Sequence, residues 1–278
     1  MICHGGRFTT QIQTLKRLIS FVLSFMAMTV VNANPSFNSV TSGNVVVTQT
    51  PTTTQIQQGS NKAILQWNSF NIGAGERTQF IQPNASSVAL NRINPNQGAS
   101  QIYGSLSANG RIILVNGAGI HFGPSAMVNV GGIIASTSNI SDANFLNGKY
   151  VFDQPSTMGG SIVNEGTIIS AEHGLVALIG SNVTNTGMIN ARLGSIALGS
   201  GDKFTLDFNG DQLINFTVDA PASSGGSIKN SGSLIADGGQ ILVTARQAQG
   251  VLDDSINMSG VAQTRSVHQQ NGVIILDG

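Results

Sequence analysis

The chain contains a repeat of about 20 residues, and this repeat restricts the folds it can adopt. Segments 161–180, 181–200 and 226–245 share one pattern: an apolar residue, Asn two positions on, Gly two positions later, then Ala-x-x-Gly and alternating apolar residues. A looser copy covers 255–278, and 101–117 repeats the same rhythm of strands and Gly. Such a period is typical of solenoids, in which each repeat stacks on the next.

A single copy, with two or three strands of about four residues, has too little chain to bury its own apolar face. Stacking solves this, because strands of successive coils then pair in parallel and their inward residues form an apolar column. The expected column contains Ile168, Val176 and Leu178 over Ile189, Ile196 and Leu198. The sequence therefore predicts an all-β parallel β-helix of about ten coils, less the chain spent on excursions.

Three asparagines, Asn164, Asn185 and Asn230, occupy matched positions in the copies. Stacked coils would place them one above another, so we expect a hydrogen-bonded side-chain ladder at a turn. We expect the Gly two residues after each Asn to form a corner with positive φ. A structural turn is preferred here to a ligand-binding role.

The composition agrees with an uncharged β fold. Only 9% of the residues are charged, and 13 basic residues balance 13 acidic ones, so no electric field favours binding to nucleic acid. Hydrophobic residues make up 40% of the chain and recur in short runs, which argues against disorder.

The first 33 residues have the features of a signal peptide. Basic residues precede an apolar run over 18–31, and small residues end at Ala33, which predicts cleavage between Ala33 and Asn34. The run is short for a membrane span of about 20 residues, and a retained anchor is the alternative. Cleavage removes Cys3, the only cysteine, so the exported domain 34–278 must be stable without disulfides.

Other segments interrupt or precede the repeat. Alternating residues on both sides of Asn209-Gly210-Asp211 predict a β-hairpin within about 200–225, with its apolar face on the flank of the solenoid. A less regular excursion covers 142–159. The β-branched run 45–48 is expected to cap the open end of the first coil.

A further set of motifs lies between residues 64 and 141. It comprises Trp67, Phe70, Asn71 and Ile72, then Gln82, then Asn91, Arg92 and Ile93, then 104–110 and 112–116, then Gly119 and Ile120, and finally Ala135, Ser136 and Thr137. These motifs resemble the secretion domain of two-partner-secreted exoproteins of the filamentous haemagglutinin and high-molecular-weight adhesin group. The resemblance extends over nearly all of the chain after the leader.

The resemblance implies a right-handed, single-stranded parallel β-helix with an N-terminal cap. It also implies export by the Sec machinery and recognition in the periplasm by the POTRA repeats of an outer-membrane transporter of a Gram-negative bacterium. The transporter would pass the unfolded chain to the cell surface, where folding of the β-helix helps to pull it through. The protein would be a secreted or surface-exposed monomer.

The residues assigned by this resemblance to transporter recognition, or to its structural support, are Asn91, Arg92, Asn116, Gly119 and Ile120. The family's NPNGI motif is altered here, because 116–120 keeps its first Asn, its Gly and its Ile but has lost Pro and the second Asn. The string 94–97 resembles another family motif in letters but follows Asn91-Arg92, a different place, and is interpreted as a loop.

The positions of the acidic residues argue against a catalytic site. Carboxylates rarely fall at matched coil positions, and the adjacent pair Asp253-Asp254 fits a turn better than a site. His121, His173 and His268 lack metal-ligand spacing. We expect no enzyme activity, no metal and no cofactor.

Two other functions stay open. Trp67 with Phe70 is interpreted as a buried plug near the cap in preference to a sugar-stacking platform. The uncharged flank or the excursions are nevertheless suited to an adhesin that binds a host glycan or protein. Because the chain stops within the strand pattern 273–276, a remnant of a larger adhesin or toxin is a further expectation.

Overall fold

Strands stacked in register along one axis make up most of the chain in the computed structural model. The described residues are 33–208, 214–220, 222, 226–245, 256–265 and 273–277, with the backbone alone for 207–208, 214–216 and 273–277. Outside them lie the leader up to residue 32, the hairpin turn 209–211, the pair Asp253-Asp254 and His268. Within this described part, no helix has the length and apolarity to cross a membrane.

Three sheets form the walls of the solenoid. Sheet 1 contains β1 (Ser36–Ser42), β4 (Lys62–Ser69), β6 (Val88–Ile93), β9 (Arg111–Val115), β12 (Gly132–Ser136), β16 (Leu175–Gly180), β19 (Ser195–Ser200), β24 (Gln240–Ala245) and β27 (Val273–Asp277). Sheet 2 contains β2 (Val45–Gln49), β3 (Thr53–Gln58), β5 (Arg77–Ile81), β8 (Ser105–Ala108), β11 (Met127–Val130), β15 (Thr167–Ser170), β18 (Met188–Asn190), β23 (Ser233–Ile235) and β26 (Val261–Gln263). Sheet 3 contains β7 (Ser100–Ile102), β10 (Ile120–Phe122), β14 (Ser161–Asn164), β17 (Asn182–Asn185), β22 (Ser227–Asn230) and β25 (Ile256–Met258).

The repeats of the sequence are successive coils. Ile162 pairs with Val183, and Val183 pairs with Ile228 in the next copy, all in parallel register. The predicted inward residues are fully buried in one continuous core, so the predicted β-helix is confirmed. Sheets 1 and 2 each stack eight described strands in parallel rather than about ten, because the cap and the excursions use the remaining chain.

The N-terminal cap is built from two antiparallel strands. The predicted cap run lies in β2, which pairs antiparallel with β3 at the end of sheet 2. β1, which the sequence pattern did not indicate, pairs antiparallel with β4 and caps sheet 1 in the same way. Phe37, Val45 and Val47 pack from these strands onto the core, so the first coil is covered.

Both excursions leave the solenoid between a strand of sheet 1 and the next strand of sheet 3, and they meet outside it. The first forms helix α1 (Asp142–Leu146) and strand β13 (Tyr150–Phe152); the second is the predicted hairpin, β20 (Lys203–Phe208) with β21 (Ile214–Ala220). β13 pairs antiparallel with β20 to complete sheet 4, and the Phe152 and Phe204 rings stack with centroids 4.6 Å apart. A second apolar core lies between these elements and the outer face of sheet 1, as predicted for the hairpin.

The glycines that follow the matched asparagines, Gly166, Gly187 and Gly232, do not have positive φ, so that expectation is wrong. They are required for close approach instead. A Cβ on Gly166 would lie 2.6 Å from the carbonyl oxygen of Gly123, and one on Gly187 or Gly232 would overlap the glycine carbonyl of the coil before it. A second column, Gly131, Gly174, Gly194 and Gly239, packs backbone on backbone in the same way.

Left-handed backbone occurs one residue before this second column. His173 and Leu193 have φ of 61° and 55°, and Gly238 occupies the matching position with φ of 73°. A left-handed conformation costs a residue with a Cβ about 1–2 kcal/mol. Two coils therefore carry strain that the third avoids with glycine.

We expect Leu193→Gly to raise the free energy of unfolding by about 0.5 kcal/mol, because relief of the left-handed strain exceeds the added entropy of the unfolded chain, about 0.4–1 kcal/mol. Urea unfolding measures it. Gly238→Ala is the matched control and should lower the free energy by about 1 kcal/mol. A destabilised Leu193→Gly chain would contradict the assigned strain.

Candidate functional site

The motif residues converge at the corner between sheet 1 and sheet 3, called here the 1–3 corner. Trp67 and Asn91-Arg92 lie near the ends of β4 and β6, Asn116 directly follows β9, and Ser136 ends β12. These strands are neighbours in sheet 1. Residues spread over 70 positions of sequence are thus stacked at one corner of four successive coils.

Trp67 and Asn91 form a buried pair inside the first coils. Trp67 is 1% exposed and its Nε1–H donates to Asn91 Oδ1 at 2.9 Å. The Asn91 amide donates to the carbonyl oxygens of Ala89 and Ile113 at 3.2 and 3.3 Å, so its buried polar atoms are satisfied. The Trp67 ring makes edge-to-face contacts with the rings of Phe37 in the cap and of Phe70. These contacts agree with the interpretation of Trp67 and Phe70 as a buried plug near the cap.

Asn71, the third residue of this motif, joins the cap region to sheet 3. Its Oδ1 accepts the Gln101 N–H at 2.8 Å, and the adjacent Ile72 N–H donates to the Gln101 carbonyl at 2.9 Å. Ile72 also bridges Ile102 in parallel. The motif therefore closes the end of sheet 3, which has no strand of its own in the first coil.

Asn116 forms the turn at the 1–3 corner. Its Oδ1 accepts the Ala118 N–H at 3.0 Å, and its carbonyl accepts the Gly119 N–H at 2.9 Å. Its amide donates to Ser100 Oγ at 3.0 Å and to the Gly98 carbonyl at 3.1 Å in the coil before. The side chain is fully buried and fixes both its own turn and the neighbouring coil.

The remaining residues of the altered motif are also structural. Gly119 has φ of 110°, and a Cβ there would lie 2.7 Å from the Ser161 carbonyl oxygen, so both conformation and space require glycine. Ile120 is buried in the core. The loss of the motif's Pro and second Asn leaves this turn intact, since Asn116, Gly119 and Ile120 make the contacts that define it.

The string 94–97 lies in the connection between β6 and β7. Its residues Pro95–Gln97 form a 3-10 turn at the 1–3 corner, one coil before Asn116. Asn94 Oδ1 accepts the Asn96 N–H at 3.1 Å, as Asn116 Oδ1 accepts Ala118. This connection between β6 and β7 agrees with the interpretation of the string as a loop. The structure adds that residues distant in sequence occupy the same corner of successive coils.

Arg92 connects the 1–3 corner to the first excursion. Its guanidinium donates to Asn139 Oδ1 at 2.9 Å and to the Ile140 carbonyl at 2.6 Å, and it forms an ion pair with Asp142 at the start of α1. Lys62 donates to the Leu146 carbonyl at 2.7 Å at the other end of the helix, where a cation is favourable. These two cations position α1 against sheet 1.

Ala135, Ser136 and Thr137 complete the corner. All three are buried. Ser136 Oγ accepts the Ser138 N–H at 2.9 Å and donates to the Ser138 carbonyl at 2.6 Å, while the Thr137 N–H donates to the Ile179 carbonyl at 3.1 Å. This motif turns the chain from β12 into the first excursion.

The predicted asparagine ladder is present at the corner between sheet 3 and sheet 2. Asn164 Nδ2 donates to Asn185 Oδ1, and Asn185 Nδ2 donates to Asn230 Oδ1, both at 2.7 Å. All three are buried. The ladder ends where Phe122 and Met258 occupy the matching positions, which leaves Asn164 Oδ1 and Asn230 Nδ2 without partners.

A groove of about 660 Å³ opens on the outer side of the 1–3 corner. Arg92, Asn94, Gly117 and Thr137 line it together with the segment 154–158. Ser156 Oγ donates to the Gly117 carbonyl at 2.7 Å and so holds this segment over the turn. Arg92 is the one charged residue in the lining, and Asp142 pairs with it.

Folding buries four of the five residues that the sequence analysis predicts for transporter recognition or its structural support. Asn91, Asn116, Gly119 and Ile120 are buried, and the Arg92 side chain is 15% exposed. Burial could not be read from the letters of the motif, because the polar Asn91 lies on the inward face of β6 among apolar residues. A partner that reads these side chains must meet them before the corner has folded.

The predicted cleavage site lies at the start of the described chain. The Ala33 N–H donates to Glu76 Oε1 at 2.8 Å. The Asn34 amide donates to the carbonyl oxygens of Thr50 and Pro51 at 3.0 and 2.7 Å. Ala33 is thus held by its backbone to Glu76, and Asn34 is held by its side chain to the loop that follows β2.

The described histidines make no metal centre. His121 Nε2 lies 3.0 Å from Glu165 Oε2, and Nδ1 lies 3.2 Å from Gln101 Oε1. His173 is in the strained turn already noted. No group of three or more His, Cys, Asp or Glu in the described residues is arranged to hold a metal ion.

Comparison with known proteins gives concordant matches. The family model described as "TPS secretion domain" matches residues 31–278. Two curated relatives from Haemophilus influenzae, both named heme/hemopexin-binding protein, are 32% and 31% identical over 250 and 243 residues, and cover 87% and 80% of this chain. The chain spans about a quarter of their length, 27% and 25% respectively.

Solved structures match as well. The secretion domain of HMW1 from Haemophilus influenzae superposes with a TM-score of 0.69 at 33% sequence identity, over 87% of this chain and 66% of that one. The filamentous hemagglutinin secretion domain gives a TM-score of 0.49 at 14% identity, over 89% of this chain and all of that one.

Proposed function

Because the chain belongs to the TPS secretion domain family, we propose that residues 34–278 are read while unfolded by the periplasmic POTRA repeats of a cognate outer-membrane transporter. TPS exoproteins are secreted through the outer membrane of Gram-negative bacteria. In this proposal the Sec machinery exports the chain, cleavage after Ala33 removes the leader, and the domain folds at the cell surface.

The observation that carries the proposal is the burial of the motif side chains. Asn91 and Asn116 are fully buried and hydrogen-bonded to neighbouring coils. Side chains in that position recognise a partner only in a chain that has not yet formed those coils. The same residues then serve twice: they bind the transporter when exposed, and they lock the 1–3 corner when buried.

Folding of the domain at the cell surface would make transport through the outer membrane directional. Each coil that forms buries an apolar rung and completes one row of hydrogen bonds on the coil before it, so growth proceeds from the cap without disulfides. The cap makes this possible, since β1 and β2 offer the first coil a finished template. We propose that the cap and first coils nucleate folding as the chain emerges.

Asn116→Ala separates recognition from stability. We expect the variant, diluted from urea directly into the purified periplasmic repeats so that it meets them before it folds, to bind about tenfold more weakly and to be secreted less. Asn185→Ala is the matched control: it also removes a buried, hydrogen-bonded Asn, at about 1–3 kcal/mol, but lies outside the proposed recognition segment. Unchanged binding and secretion of Asn116→Ala would contradict the proposal.

A second function, contact with a host surface, is supported by sheet 2. Its nine strands carry one charged residue, Arg77, and expose the apolar side chains of Val46, Met127 and Val261. A flat face of this kind suits neutral glycans or an apolar protein patch. We expect the folded domain to bind neutral glycans on an array, and Asn129→Lys to reduce that binding; an empty array would refute glycan binding by this face.

A further inference from the structure

Glu76 is a buried carboxylate at the start of β5. It is 6% exposed; its Oε2 accepts the Gly73 N–H at 2.7 Å and its Oε1 accepts the Ala33 N–H at 2.8 Å. Ion pairs such as Arg92–Asp142, His121–Glu165 and Arg192–Glu172 occur among the described residues, and Glu76 is in none of these three. In this part of the chain Glu76 therefore has backbone donors but no cationic side chain beside it.

A buried carboxylate without a cation is unfavourable, since its charge has lost water and gained only dipoles. Leader removal changes its surroundings in two ways. It takes away the Ala33 nitrogen, one of the two donors, and it creates an α-ammonium on Asn34, one residue and about 3.8 Å of chain further on. An α-amine has an ordinary pKa of about 7.7–8.0 and is mostly charged at neutral pH.

Asn34 is held in place for this role. Its side-chain amide donates to the Thr50 and Pro51 carbonyls at 3.0 and 2.7 Å, and the next residue, Pro35, accepts from Gln49 Nε2 at 2.6 Å. Its own Oδ1 is buried without a partner and is an acceptor available to a neighbouring ammonium. The new terminus is thus anchored by its own side chain and by the backbone of Pro35, one residue after the Ala33 nitrogen that contacts the carboxylate.

We infer that Glu76 is a binding site for the protein's own N-terminal α-ammonium, formed on Asn34 when the leader is removed. This inference rests on the leader removal proposed above. The ion pair ties the first residue of the secreted domain to the start of β5. The processed domain is therefore more stable than the same domain with its terminus blocked, and the cap is complete only after cleavage.

The test compares chain 34–278 with a free Asn34 α-amine and the same chain with that amine acetylated, which removes the charge. Each is prepared with the natural sequence and with Glu76→Gln, which keeps an oxygen acceptor for Gly73. Glu172→Gln, at an exposed ion pair with Arg192, is the control for a general change in charge. Urea unfolding at pH 6.5 and low salt gives the folding equilibrium constant of each.

We expect acetylation to lower the folding constant about tenfold in the natural and Glu172→Gln chains, and less than twofold in Glu76→Gln. Equal effects of acetylation in the natural and Glu76→Gln chains overturn the site. Mass spectrometry of the secreted protein tests the premise separately. A first residue other than Asn34 refutes cleavage between Ala33 and Asn34 and this site with it, whereas Asn34 with equal acetylation effects refutes the ion pair alone.

Discussion

Gly194→Ala is expected to lower the free energy of unfolding by about 3 kcal/mol or more. The added Cβ overlaps the Gly174 carbonyl oxygen and lies 2.9 Å from the Gly174 nitrogen, so backbone must move against backbone. Gly194 also stands under Gly239, whose Cβ would overlap its carbonyl. Overpacking where a flexible side chain can yield costs about 1–3 kcal/mol, and here no side chain can yield. Urea unfolding measures the change.

Gly75→Ala is the control that separates space from conformation. Gly75 has φ of 87° but nothing within 4 Å of an added Cβ, so it tests positive φ alone, at about 1 kcal/mol. We expect the loss at Gly194 to exceed the loss at Gly75 severalfold. Equal losses would mean that the glycine columns are selected for backbone conformation and not for the spacing between coils.

The positions of the repeated glycines could be predicted from the sequence, but the physical reason for them could not. A period of about 20 residues with matched apolar positions predicts parallel stacking, since no other arrangement buries every copy. The same pattern places glycines but leaves open why they are there. Positive φ is a common reason for a turn glycine, yet in the turns of the repeats the left-handed residues are His173, Leu193 and Gly238. These three do not share a residue type, so the repeat pattern does not indicate them.

The excursions were predictable in part. Strict alternation around 209–211 indicates the hairpin without reference to the rest of the chain. Helix α1 has only five residues and begins with a local cap, in which Ser141 Oγ accepts the Asn144 N–H. Arg92 and Lys62, far away in sequence, contact its two ends. The sequence pattern carries no sign of these contacts, and β1 is similarly defined by its partner β4.

The residues of the candidate site could be predicted from the sequence, but their burial could not. The resemblance located Asn91, Asn116 and their neighbours, but only the structure shows that one corner collects them and that folding buries them. Burial changes the meaning of the motif. An exposed motif would be a docking surface on a finished domain, whereas a buried motif is accessible to a partner only before folding. Asn116→Ala and its control Asn185→Ala test whether Asn116 is recognised in the unfolded chain.

Trp67→Ala is expected to have the other large effect, a loss of about 3–5 kcal/mol, typical of a truncated buried aromatic side chain. Trp67 fills the first coil, contacts Phe37 of the cap with ring centroids 5.3 Å apart, and donates to Asn91. Its removal should also detach β1 from β4, because Phe37 loses its aromatic partner. Urea unfolding measures the global loss, and amide hydrogen exchange in β1 measures the local opening.

Trp67→Phe isolates the hydrogen bond from the packing. It keeps an aromatic ring against Phe37 but leaves Asn91 Oδ1 buried without its donor, at about 1–3 kcal/mol. We expect exchange in β1 to stay slow in Trp67→Phe and to become fast in Trp67→Ala. If β1 stays protected in both, Phe37 does not depend on Trp67 and the cap is held by strand pairing alone. If β1 opens in Trp67→Ala and secretion falls as well, the first coil must form on the cap as its template. Weaker recognition by the transporter would not explain the fall, because the motif residues other than Trp67 are unchanged in this variant and are accessible in the unfolded chain.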